Sequence, residues 1–350
     1  MAAREDALDL WREPEAPTSS DRCRGRRRLP PGRDGLRRRL TTLAARGSPV
    51  SSPSGGMTIC FIGWLLAGLV VAARSMRDMT DVSAAWVARA VEDNEAEFLL
   101  ALGRAGGGRE RDDAEITWVI GGSPIAYHNC VVRADLEPEG ADAAITESQN
   151  LMRTSGVAGS WHVGPSMHPT DLGTRLEAHG FDSGPEPGMA ADLRALPDVE
   201  APTDVRISRV VTDTGLDAYE QVLSLGFGEG PPEAAWVREM YARIGVGDDV
   251  PWRHYVGLAG GDPVACASVF LAAGVAGLYF VCTVPDARRR GIGAAISREA
   301  LAGTLELGFD VGVLGSSPMG QPMYERLGFR EVCAVNVYEW SPFTPPTTER

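Results

Sequence analysis

The 350 residues suffice for two domains, because a single hydrophobic core stops growing near about 250–300 residues. All 34 basic residues are arginine, against 47 acidic ones, giving a net charge of −13. A body this acidic argues against nucleic acid as a partner and suits cationic acceptors such as amines. The absence of lysine reads as a GC-rich coding bias and suggests a high-GC bacterium. Cys23, Cys60, Cys130, Cys266, Cys282 and Cys333 show no C-x-x-C spacing, and the five histidines lack metal spacing. Reduced, buried thiols in a cytosolic protein are expected, with neither a metal site nor a disulfide framework.

The charge is uneven. Residues 1–78 carry 14 arginines and 8 acidic residues, whereas residues 79–350 carry 20 and 39. Residues 1–56 are rich in Arg, Pro, Ser and Gly without a helical or strand period, so disorder is expected. Residues 57–73 are then 17 uncharged, mostly apolar residues. At about 1.5 Å per residue they reach only the short limit for crossing a membrane. Ten arginines between Arg22 and Arg46 precede the run, a bias that would hold the N-terminus in the cytoplasm. Three readings stay open: a translation start placed too early, with the real one at Met76 or Met79; a signal anchor or signal peptide; or a helix packed on the protein surface.

From Thr80 the chain alternates helical and strand patterns. Residues 81–104 place Trp86, Val87, Ala90, Val91, Phe98 and Leu102 on one helical face, with Ser83 as a capping candidate. Strands are expected at 115–120 and 126–132, a helix at 141–152, and another strand from Trp161. The segment Arg175-Leu-Glu-Ala-His-Gly-Phe181 looks like Met323-Tyr-Glu-Arg-Leu-Gly-Phe329, and each follows a valine-containing strand and a Gly/Ser/Pro/Met turn. This suggests a duplicated unit, with 182–202 as a Gly/Pro-rich connection. In the first copy Leu176 stands where the second has Tyr324, and Glu137-Pro-Glu-Gly140 precedes the helix. Arg153-Thr-Ser-Gly-Val-Ala158 lies too close to the strand at Trp161 to open a helix.

In the second half, helices are expected at 216–223 and 233–244, and strands at 252–258 and 264–271 joined by the turn Gly260-Gly-Asp-Pro263. A strand at 275–284 runs into Arg288-x-x-Gly291-x-Gly293, which opens a helix at 292–307 before a parallel strand at 309–315. Gly291 and Gly293 leave room for backbone N–H groups to face a phosphate, and the helix adds its unpaired N–H groups. Arg288, Arg289 and Arg290 add positive charge. The loop is not a Walker motif, since no Gly-Lys-Ser/Thr follows, nor the dinucleotide fingerprint, since Ile296 stands where a third glycine is needed.

Pro285-Asp-x-Arg-x-x-Gly-x-Gly293, with Tyr324-x-x-x-Gly328-Phe329 downstream, resembles the GCN5-related N-acetyltransferase (GNAT) superfamily over roughly residues 204–340. The resemblance implies an α/β (α+β) chain of tandem GNAT folds, each a mixed, mostly antiparallel sheet flanked by helices. The implied organisation is a leader at 1–56, a hydrophobic segment at 57–75, a degenerate copy at 79–195, a catalytic domain at 204–341 and a tail at 342–350. Acetyl-CoA is implied as co-substrate, with a primary amine of a small molecule or peptide as acceptor. The main chain of Cys282, Thr283 and Val284 would meet pantetheine. Arg288, Arg289, Arg290, Gly291, Ile292, Gly293 and Ala294 would hold the diphosphate, and Tyr324 would protonate the departing thiolate. Many relatives place an asparagine on the preceding turn, where this chain has Ser316 and Ser317. The general base is not legible; Glu229, Glu233 and His254 are candidates, each also readable as a surface residue. A cytoplasmic monomer or homodimer is expected, binding no nucleic acid. Alternatives are an acyl-CoA sensor without turnover, or an acyltransferase anchored to a membrane through 57–73.

Overall fold

The computed structural model describes residues 82–228 and 230–343, all of them within one compact unit. The leader, the run at 57–73, the candidate starts Met76 and Met79, Glu229 and residues 344–350 lie outside the described residues. Among the described residues no helix is long and apolar enough to cross a membrane, and no group of metal-binding side chains assembles.

The first half runs α1 (Val82–Ala105), β1 (Arg109–Asp112), β2 (Ile116–Ile120), a 3-10 turn at Ala126–His128, β3 (Asn129–Ala134), α2 (Ala141–Ser155), β4 (Gly159–Val163), α3 (Leu172–Ala178), β5 (Asp182–Gly184) and β6 (Pro187–Asp192). The second half runs β7 (Val205–Arg209), α4 (Asp213–Gly226), α5 (Pro231–Ile244), β8 (Trp252–Ala259), β9 (Asp262–Ala272), β10 (Val275–Thr283), α6 (Ile292–Leu305), β11 (Val311–Gly315), α7 (Gln321–Arg326), β12 (Arg330–Ala334) and β13 (Asn336–Trp340). The turn between β8 and β9 holds Gly260 at φ 61° and Gly261 at φ 99°, the mirror-image turn that suits a twisted hairpin. Gly156 caps α2 in the left-handed conformation, so Arg153–Ala158 is a helix ending and not a phosphate loop.

Two mixed sheets result, ordered β1-β2-β3-β4-β13-β5 and β12-β6-β11-β10-β9-β8-β7. The halves exchange strands. β13 lies antiparallel between β4 and β5, and β6 lies antiparallel between β11 and β12. The expected connection at 182–202 is therefore a correction: it contains β5 and β6, and β6 is an internal strand. Small residues (Gly188, Ala190, Ala191) and flanking prolines hid a strand that its neighbours impose from both sides. Each sheet has one parallel pair, β3 with β4 and β10 with β11, bridged by α2 and α6. The expected strand at 126–132 begins instead as the 3-10 turn.

α1 ties the two halves together. Val87, Ala90 and Val91 pack with Ala190, Val275, Val311, Val313 and Val335. Phe98 stacks on Tyr279 at 3.8 Å, and its ring lies 5.2 Å from Trp252. Asn94 is fully buried in this apolar face, and its amide donates to the carbonyls of Phe270, Ala272 and Val275 while its oxygen accepts from the Tyr279 hydroxyl at 2.7 Å. These carbonyls lie on β9 and at the start of β10, so the side-chain amide fastens α1 to both strands with its own donors satisfied. Asn94→Ala should therefore lower the unfolding free energy by about 3 kcal/mol in urea titrations, since each stranded buried group costs about 1–3 kcal/mol. A loss well under 1 kcal/mol would show that water takes over the amide's role.

Candidate functional site

β10 and β11 are hydrogen-bonded only at Ala276–Gly312 and Gly277–Val313, and beyond that the strands part. On its other edge β10 slips register against β9 between Tyr279 and Cys282, with Phe280 at φ 50°. A non-glycine residue in that region is strained, so the surrounding aromatic packing must hold it. Phe280 sits 5.5 Å from Phe227 and 5.9 Å from Phe98, ring to ring. The bulge turns the end of β10 away from β11 and opens a cleft of about 1170 Å³ bounded by both halves of the chain.

One end of the cleft is the arginine-glycine loop. A 3-10 turn at Pro285–Ala287 leads to Arg289 at φ 61° and Gly291 at φ 84°, and α6 starts at Ile292. A Cβ built on Gly291 meets no atom within 4 Å, so this glycine borders open space. One built on Gly293 falls 3.2 Å from the Met323 sulfur. α6 has no side-chain cap and no acidic residue in its first turn, so the N–H groups of Ile292, Gly293 and Ala294 and the positive dipole end remain available to an anion. A diphosphate fits this hollow.

The three arginines separate by role. Arg288 straps the loop down, donating to the carbonyls of Thr283 at 2.9 Å and Gly226 at 2.8 Å. Arg290 pairs with Asp204 at 2.7 Å on the exposed surface. Arg289 is exposed and lines the cleft, the arginine best placed for a phosphate. The Val284 N–H donates to Val264, while Cys282 and Thr283 line the cleft on the edge that β11 leaves. The Cys282 thiol is held below its usual range by the Cys266 thiol and by Arg288, although burial opposes this.

Tyr324, on α7, is 8% exposed, lines the cleft and packs edge-on against Phe329 at 5.9 Å. Burial pushes its phenol above the ordinary value, so it stays neutral and able to donate a proton. Ser316 and Ser317 line the cleft just ahead of it.

The opposite wall comes from the first half, and sequence reasoning missed it. The Tyr127 hydroxyl donates to Glu95 Oε1 at 2.8 Å and lies 3.3–3.4 Å from both oxygens of Glu186. His162 Nδ1 donates to the same Glu95 oxygen at 2.8 Å. Burial alone would lower the His162 imidazole, but Glu95 outweighs it, with help from Glu186, and holds it above the usual value. Burial and then Glu95 leave the Glu186 carboxyl pushed up to about 7. Glu95, one place after Asn94, is a charged residue on the buried face of a helix, and that was the available signal. Glu186, between Pro185 and Pro187, carried none.

The candidates for the general base fall differently from expectation. Glu233 is buried instead of exposed, lining the cleft 3.8 Å from His128 Nε2. It sits in the first turn of α5, where the helix dipole favours a carboxylate. His254 is also buried, but in the core, bonded to Ser268 at 2.8 Å and stacked near Trp252, away from the cleft; burial pulls it down to about 3.

Residues 251–331 match the model of the acetyltransferase (GNAT) domain. A GCN5-related N-acetyltransferase from Kribbella flavida superposes with a TM-score of 0.55 over 70% of this chain and 95% of that one, at 17% identity. A functionally unknown conserved protein from Staphylococcus epidermidis ATCC 12228 gives a TM-score of 0.52 over 66% and 93%, at 15% identity. A tandem GNAT protein from the clavulanic acid biosynthesis pathway, without AcCoA, aligns at a TM-score of 0.47 over 65% and 79%, at 14% identity. No curated protein sequence matches the chain. At these identities the structural likeness is one of fold. The stretch from β8 to the start of β12, which contains the parted strands, the arginine-glycine loop and Tyr324, is a domain of the GCN5-related N-acetyltransferase superfamily, and the chain around it has that fold.

Proposed function

We propose that this chain is an acetyl-CoA-dependent N-acetyltransferase that passes an acetyl group directly to a primary amine of a small molecule or peptide. The observation that supports this best is the open glycine hollow at the start of α6, set beside strands that part after Gly277. The main chain from Arg289 to Ala294 takes the diphosphate, with the Arg289 side chain beside it. The main chain of Cys282 and Thr283 faces the pantetheine arm. Tyr324 donates its proton to the departing thiolate, a role suited to a buried phenol that stays neutral across the physiological range.

In this reading residues 79–195 are a non-catalytic copy and residues 204–341 the catalytic one. Both have a parallel strand pair bridged by a helix. The first copy lacks the hollow: Glu137 and Glu139 are exposed ahead of α2, and two carboxylates repel a diphosphate. Its Leu176, at the position corresponding to Tyr324, is buried in a hydrophobic core. The copy's contribution is a wall of the acceptor cleft.

Two measurements test this reading. Tyr324→Phe should lower kcat by about 100-fold or more in a thiol-release assay with an amine panel, and change acetyl-CoA affinity little. Equal losses in both would assign Tyr324 to packing. Gly291→Asp keeps a residue that tolerates the left-handed conformation but puts a carboxylate in the hollow. It should abolish most of the CoA-induced rise in melting temperature while leaving the melting temperature of the free protein within a few degrees. A wild-type protein that binds CoA but releases no thiol with any amine would be an acyl-CoA sensor.

A further inference from the structure

We propose that Glu186 is the proton acceptor of this transfer, carried to the parted strands by the exchanged strand β6 and positioned by Tyr127, Glu95 and His162 of the first half. The proposal rests on the transferase reading above and assigns it a base from the first half; Glu233, the carboxylate that the second half brings to the cleft, sits in the first turn of α5 beside His128.

Placement comes from the strand exchange. The Glu186 carbonyl accepts from the Val335 N–H at 3.0 Å, and the next carbonyl, of Pro187, accepts from the Ser316 N–H at 3.0 Å. These bonds pin Glu186 at the end of β11. Its carboxylate lies over Gly315, the last residue of that strand, where a Cβ would fall 2.0 Å from Oε1. Only glycine at 315 lets the carboxylate occupy this spot, in the same cleft as Thr283 and Tyr324.

The surrounding charges explain why Glu186, not Glu95, takes the proton. His162 Nε2 lies 3.2 Å from the Tyr127 carbonyl, which only accepts, while Nδ1 donates to Glu95. Ser160 Oγ also lies 3.1 Å from Nε2, and Glu95 with Glu186 favours the charged ring, which offsets Glu95. Tyr127 has one hydroxyl proton, and the nearer Glu95 oxygen takes it at 2.8 Å. Glu186 is left facing a second carboxylate and a phenol oxygen, and the pull of His162 on it is outweighed by burial and Glu95. Tyr279 also faces both carboxylates, but its hydroxyl proton goes to Asn94. A primary ammonium group beside Glu186 supplies the missing charge and, once it is there, a proton to move.

The step balances. The acceptor R–NH3+ transfers one proton to the Glu186 carboxylate, freeing the nitrogen lone pair. That pair forms the C–N bond to the thioester carbonyl carbon, and the C–S bond breaks with its electrons on sulfur. Tyr324 protonates the thiolate and regains a proton from the amide nitrogen through water. Glu186 then releases its own proton to solvent, so each turnover yields amide, free thiol and one proton.

The test uses Glu186→Gln and Tyr127→Phe in the full chain, with 1,4-diaminobutane and benzylamine as acceptor probes. In wild type, thiol release should rise with pH through the neutral region and then level, because the carboxylate must be ionised. Glu186→Gln should lose that limb and about 100-fold in rate near pH 7, and recover as rising pH deprotonates the amine in solution. Calorimetry without acetyl-CoA should show both amines binding wild type at least tenfold more tightly than Glu186→Gln. Tyr127→Phe should move the limb to higher pH, since Glu95 then acts on Glu186 without the phenol between them; a packing role would lower rates and leave the limb in place. An unchanged limb and unchanged amine affinity in Glu186→Gln, or failure of both amines to bind a wild type that still gains melting temperature with CoA, overturns the proposal alone. Failure of CoA itself to raise the melting temperature overturns the transferase reading with it.

Discussion

The reciprocal exchange of β6 and β13 is the constraint on which the rest of the architecture depends. Each strand sits between two others of the opposite sheet, so separating the halves would unpair internal ladders on both sides. Exposed edges of that kind are costly and prone to mispairing, which makes the exchange a mutual lock. It also fixes the cleft. With β6 seated against β11, the residues just before β6 stand at the mouth of the parted strands, and α1 of the first half lies across β9, β10 and β11.

The cleft itself follows from two local departures from regular structure. Phe280 at positive φ breaks the register of β10 on one edge, and the parallel ladder with β11 ends after two pairs on the other. The corresponding parallel pair in the first half, β3 with β4, is also short, but there the 3-10 turn at Ala126–His128 leans on β4, with Ser160 donating to the Ala126 carbonyl at 3.2 Å. Trp161 fills the other face and bonds Ser148 at 3.0 Å. The two halves use the same strand-helix-strand unit, one open to a ligand and the other filled by its own side chains.

Much of this was legible in the sequence, and the boundary of legibility has physical reasons. The 3.6-residue period of α1, the Gly260-Gly261 turn and the arginine-glycine loop are local signals, and each appears where expected. β6 was invisible because its identity is tertiary: Gly188-Met-Ala-Ala has no strand preference of its own. The arginine-glycine end of the cleft was readable because glycine conformation and a helix start are encoded side by side. The opposite wall was not, because Glu95, Tyr127, His162 and Glu186 are spread over about 90 residues, and Glu186 joins the other three beside the exchanged strand β6. Arg288 and Arg290 looked like phosphate ligands by type, and the structure has them bracing the loop through Thr283, Gly226 and Asp204.

The position of β13 sets the order in which this chain can mature. The first sheet lacks an internal strand until residues 336–340 have been synthesised, although every other part of it precedes residue 185. Domains usually fold on the ribosome from the N-terminus onward. Here the N-terminal sheet cannot close the gap between β4 and β5 until residues 336–340 are available. The finished first sheet therefore requires a segment from the far end of the second half.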